Sequence, residues 1–136
     1  MKKSFVLDIY TPFSHYYSDE VEFLQVCSEE YTLGILPNHS PLVSTVIISE
    51  IIIQKNGVKE SYATSGGIIR VNDNKVELLL QSIESIEEID LERAERAKER
   101  ALKRLANPEL ESIKVTSSKL ALTRAENRIK LKNSIK

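Results

Sequence analysis

From residue 4 to residue 84 the apolar positions come in short runs, rich in β-branched and aromatic residues and separated by turn residues. Ser4–Pro12, "SFVLDIYTP", alternates and stops at proline. In "DEVEFLQV" the alternation places Val21, Phe23 and Gln25 on one face and Glu20, Glu22 and Leu24 on the other. "TLGIL" ends at Pro37, and "IISEIIIQ" runs into Asn56-Gly57, a strong hairpin signal. Gly66-Gly67 predicts positive φ or a close backbone approach. A second hairpin is predicted around Asp73-Asn74. Short strands at this spacing, with no helical period between them, predict an antiparallel sandwich or barrel.

The period changes after "SIEEID". Residues 90 to 106, "DLERAERAKERALKRLA", are strong helix formers, with Asp90 as N-cap and Glu92 at the positive end of the dipole. Asn107-Pro108 ends the run. A second helix is predicted over at least Ser117–Lys132, which makes an antiparallel helical hairpin. At 100° per residue the first helix presents Ala94, Ala97, Ala101 and Leu105, with Leu91 and Leu102 beside them. That stripe is narrow and mostly alanine, so the hairpin is expected to be held weakly. The division expected is a β-sandwich over residues 1–86 and a mobile helical hairpin over residues 87–136.

The chain has 136 residues and 41% apolar content, enough for one modest core. Its net charge of -1 hides an asymmetry: residues 1 to 84 hold 6 Lys/Arg against 11 Asp/Glu, a net -5, and the remainder holds 13 against 9, a net +4. The basic piece reads either as seeking an acidic surface or as a salt-laced solvated helix. Cys27 is the single cysteine, so no internal disulfide exists, and a packed small residue is the plainer reading of it than a reactive thiol. The start of the chain does not read as a signal peptide. The apolar window "LVSTVIISEIII" is broken by Glu50 and falls short of the roughly 20 residues of a membrane helix. Any meeting with a membrane is expected to go through a partner.

No phosphate loop, dinucleotide fingerprint or zinc spacing is present, and no metal is expected. His39, in "GILPNHSPLV", reads as a turn hydrogen-bonder or an interface residue, since no nucleophile motif accompanies it as a base. The arginines carry more. Arg124 and Arg128 lie one turn apart within the apolar arc of the second helix, and Arg93 and Arg100 flank the alanine stripe of the first. Folding the hairpin would let four guanidiniums converge, with Asp90 and Glu84 near one end. The planar guanidinium fork suits phosphate oxygens. The plainer alternative is intrahelical ion pairing, such as Glu92–Arg96, and it is accepted for Arg96 and Arg104. For Arg124 and Arg128 an anion or a carboxylate partner stays open.

Three segments, "LGILPNHSPLV", "SGGIIRVNDNKVELLLQS" and "EEIDLERAERAKERALKRL", resemble in order and distance the epsilon subunit of bacterial F-type ATP synthases. The resemblance implies a β-sandwich followed by a helical hairpin, with no catalysis. It implies a rotor subunit of the central stalk, peripheral to the bacterial plasma membrane on its cytoplasmic side. Its partners would be the gamma subunit and the c-ring, with the alpha/beta catalytic head reached by the extended hairpin. The extended hairpin would inhibit ATP hydrolysis. His39, Pro41 and Leu42 would then be interface residues. Some members of the family bind ATP as a regulatory ligand on the folded hairpin. The positions matching that motif are Ile89, Asp90, Arg93 and Ala94, with Arg100, Arg124, Arg128 and the preceding Glu84. No cofactor, nucleic acid or direct membrane insertion is implied. The alternative from another class is a free-standing nucleotide-binding sensor, which would not co-purify with a large ATPase.

Overall fold

The computed structural model describes residues 2–134. The described residues divide into two compact units, one ending at Ser85 and the other beginning at Ile86. The first holds ten strands. These are β1 (Phe5–Thr11), β2 (Ser14–Val21), β3 (Phe23–Cys27), β4 (Thr32–Ile35) and β5 (Leu42–Val46), then β6 (Ser49–Lys55), β7 (Val58–Thr64), β8 (Gly67–Asn72), β9 (Lys75–Leu80) and β10 (Ile83–Ser85). They form two five-stranded sheets, ordered β2-β1-β9-β8-β5 and β10-β7-β6-β3-β4. The expected sandwich is therefore present. Pairing is antiparallel except between β1 and β9, which run parallel. A parallel pair needs a long connection, and these two strands lie far enough apart in sequence to have one.

One apolar layer lies between the sheets. Phe5, Leu7 and Ile9 face it from β1, Ile51 and Ile53 from β6, and Ile69 and Leu78 from β8 and β9. The run from Glu20 to Val26 departs from simple alternation. Val21, Leu24 and Val26 are all buried, whereas Phe23 and Gln25 are only half-buried. The reason is Glu22, which stands between β2 in one sheet and β3 in the other. Its backbone N–H donates to Gln54 O at 2.8 Å, and its carboxylate accepts from the Gly57 N–H at 2.9 Å. The chain changes sheets at that residue, so the inward face shifts by one position.

The turns follow the sequence closely. Asn56 and Gly57 have φ of 52° and 76°, and Asp73 and Asn74 have φ of 49° and 59°. Left-handed pairs of this kind match the twist of a two-residue hairpin. Gly66-Gly67 meets both expectations: Gly66 has φ of 97°, and a Cβ on Gly67 would stand 1.9 Å from Leu79 O.

Asp8 points outward from β1 yet is buried. His15 Nε2 lies 2.9 Å from its carboxylate and Lys75 Nζ 3.7 Å. A hydrogen bond from Ser18, followed by His15 and Lys75, holds the Asp8 carboxyl below the ordinary carboxylate range against the opposing effect of burial.

The second unit holds α1 (Leu91–Leu105) and α2 (Ser112–Asn133). Asp90 is the N-cap of α1, its side chain accepting from the Arg93 N–H at 3.1 Å. Asn107 shapes the connection, accepting from Glu109 N–H on its side chain and from Leu110 N–H on its carbonyl. α2 begins five residues before Ser117. Its first turns are hydroxyl-rich, and Thr116 and Ser117 donate back to the Ser112 and Lys114 carbonyls, so weak formers are accommodated inside the helix. Ala94 and Ala101 are buried as the stripe predicts, whereas Leu102 is 47% exposed. Leu102 stands one step around the helix from Ala101, beyond the narrow buried edge.

Two outcomes follow for the sandwich. Gly67→Ala is expected to cost about 3 kcal/mol because backbone atoms block the new methyl, and Gly57→Ala about 1 kcal/mol because only its φ is strained; urea denaturation of the two variants measures the gap. The folded Asp8 carboxyl titrates below its unfolded value, so its stabilisation is complete above about pH 5 and is lost as pH falls through the depressed folded value. The difference in Tm between the natural chain and Asp8→Asn should therefore be largest near neutrality and close toward about pH 2, as calorimetry across that range would show.

Candidate functional site: the arginine-bearing hairpin

The two helices run antiparallel. Lys98 Nζ lies 4.0 Å from the Glu126 carboxylate, and Lys132, at the far end of α2, reaches residues 86 and 87 just before α1. With Lys98 beside Glu126, Arg100 falls near the level of Arg124, while Arg93 falls about three residues, nearly a turn, from the level of Arg128. The four arginines are thus spread over about 10 Å of the helix pair. Their burial differs. Arg124 and Arg128 are half-buried, in keeping with a position inside the apolar arc, whereas Arg93 and Arg100 are exposed.

Among the described residues no carboxylate pairs with Arg93, Arg100 or Arg124. Arg96 does pair, with Glu92 one turn away at 3.9 Å, as the plainer reading expected. Arg104 is exposed in the last turn of α1, where a cation suits the carbonyl end of a helix. Ile89 and Ala94 are buried, at 3% and 4% exposure, and frame the N-terminus of α1 on either side of Asp90. Asp90 therefore has a structural task, capping, whatever else it contacts. Glu84 lies on β10, opposite Ala63, in the sandwich unit.

The segment "GILPNHSPLV" carries the chain from β4 in one sheet to β5 in the other. His39 Nδ1 donates to Ser40 O at 2.7 Å, a local turn bond. Asn38, with φ of 65°, anchors the loop. Its N–H donates to the Asn74 side chain at 2.8 Å, and its own side chain donates to Lys2 O at 3.0 Å. Pro41 is exposed, and Leu42 packs partly against the core. Leu36 and Val43, 60% and 71% exposed, give the loop its apolar surface. Sequence reading took Asn74 as a turn residue only and assigned no contact to Asn38 or to Lys132. The first two were legible as turn residues, but their mutual bond spans 36 positions and has no local signal. No helix among the described residues is long and apolar enough to cross a membrane, and no group of three His, Cys, Asp or Glu is placed to hold a metal.

Comparison with known proteins agrees with this architecture over nearly the whole chain. Residues 4–86 match the beta-sandwich domain of the ATP synthase Delta/Epsilon chain, and residues 87–133 match its long alpha-helix domain. The chain is 43% identical over 129 residues to the ATP synthase epsilon chain of Desulfitobacterium hafniense (strain Y51), covering 95% of this chain and 96% of that one. It is 38% identical over 130 residues to the ATP synthase epsilon chain of Desulforamulus reducens, covering 96% and 98%. A chain in the structure of the Euglena gracilis mitochondrial ATP synthase, OSCP/F1/c-ring assembly, shares the fold with a TM-score of 0.81 at 22% identity, covering 93% of this chain and 80% of that one. With both halves matched in order, the chain belongs to the ATP synthase delta/epsilon chain family, among the epsilon chains of bacteria.

Proposed function

We propose that this protein is a non-catalytic rotor subunit of a proton-translocating F-type ATP synthase, acting in the central stalk and held peripherally at the cytoplasmic face of the plasma membrane. One observation carries the reading: both domains of the epsilon chains are matched end to end in a single chain. In this role the sandwich joins the gamma subunit to the c-ring, with the loop around His39, Pro41 and Leu42 contributing contact surface. The hairpin regulates. Extended toward the alpha/beta head, its basic residues meet acidic surface and hinder ATP hydrolysis. Folded, it offers Arg93, Arg100, Arg124 and Arg128 to the phosphates of ATP. Asp90 and Glu84 complete the set that the resemblance implies for the nucleotide.

ATP bound in this way would not be hydrolysed, because no phosphate loop is present to hold magnesium. The ligand favours the folded hairpin only by the difference in its affinity for the two states. Moving the hairpin from 1:99 to 99:1 takes about 5.5 kcal/mol of such difference. A site spread over both helices supplies one, because the four guanidiniums share it only while the helices pack.

Two measurements check the reading. ATP hydrolysis by a reconstituted catalytic head should fall when the full chain is added, and a chain ending at Glu88 should inhibit severalfold less; equal inhibition by both refutes the role of the hairpin. Calorimetric titration of the full chain with ATP should give a saturable heat. Arg128→Ala, which removes a half-buried charge, should weaken binding about tenfold, and the exposed Arg93 less. No heat at millimolar ATP would remove the nucleotide site.

A further inference from the structure

Lys132 stands in the last turn of α2, where a lysine ordinarily faces the carbonyl end of its own helix. Here its Nζ donates instead to Ile86 O at 3.0 Å and to Glu87 O at 3.3 Å. Those carbonyls belong to the turn that precedes α1, and the turn is closed by the Ile89 N–H donating to the same Ile86 oxygen at 3.2 Å. One backbone oxygen thus receives both the turn's own hydrogen bond and a cation from 46 residues away. The lysine is half-buried, next to Leu131 at 5% exposure, so its stem is packed while its head is engaged. A hydrogen bond from a charged donor is stronger than a neutral one.

The helix pair has only modest apolar burial. Its buried positions include Ala94, Ala101, Ser118 and Ala125, which bury small areas. The Lys98–Glu126 ion pair is long and exposed, and such pairs contribute little. A charged clamp at the open end of the hairpin therefore weighs heavily in whether the helices stay together. Because the oxygen it holds also closes the turn, the two events share an atom.

We propose that Lys132 is a latch that couples closure of the hairpin to the conformation of the turn over residues 86–89. When α2 leaves α1 the cation leaves the turn, and the turn loosens in the same event. By linkage, whatever holds the turn closed holds α2 in place. The device lies within this chain and requires no partner, so it is independent of the stalk role above.

Amide hydrogen exchange on the full chain tests it, with Lys132→Met and Lys132→Arg. Lys132→Met keeps the apolar stem and removes the cation, and should speed exchange at the Ile89 amide and in the last turn of α2 about five- to tenfold. The Leu78 amide in the sandwich should not change. Lys132→Arg, which keeps a cation, should return Ile89 to within about twofold of the natural chain. If Lys132→Met does not fold, Lys132→Gln, with a neutral donor, should give a smaller rise of about two- to threefold at Ile89. The latch is overturned by unchanged exchange at Ile89 in the neutral variant, by an equal rise at Leu78, or by an arginine variant no better protected than the neutral one.

Discussion

Burial of a single apolar layer between two five-stranded sheets is the constraint on which this fold depends. Each strand can contribute only every second residue to that layer, so wherever the chain passes from one sheet to the other the count must be reset. Glu22 shows how this is done. One residue of irregular backbone, bonded through both its main chain and its carboxylate to the β6–β7 hairpin, shifts the inward face from Val21 to Leu24. At Gly67 the same demand takes another form: the chain passes so near Leu79 that no side chain fits.

The hairpin is built under the opposite condition. The buried positions of its helices are mostly small, Ala94, Ala101, Ser118 and Ala125 with Leu131, and the Glu92–Arg96 and Lys98–Glu126 ion pairs are exposed. A pair of helices held this lightly would need only a modest ligand or partner preference to shift it. Charge follows the same division. The acidic sandwich and the basic hairpin differ by 9 charges between net -5 and net +4.

Much of this was legible before any coordinates. Alternation and turn chemistry identified the sandwich, because a half-buried strand and a left-handed turn leave marks confined to a few neighbouring residues. Asn56-Gly57, Asp73-Asn74 and the Asp90 cap are of this kind. The arginines at positions 93, 100, 124 and 128 were also visible, since helical spacing alone sets their directions. What remained hidden were quantities that depend on distant residues: the frame shift at Glu22, the early start of α2, and the exposure of Leu102 beside a buried Ala101.

Local order was thus written in the spacing of residue types, while pairing was not. The parallel β1–β9 contact, the Asn38–Asn74 bond and the reach of Lys132 to Ile86 each join positions tens of residues apart. Their energies come from burial and from charge-assisted hydrogen bonds that exist only once the chain has folded. Such contacts leave no periodic trace, because a periodic pattern records the face a residue presents and says nothing of what comes to meet it.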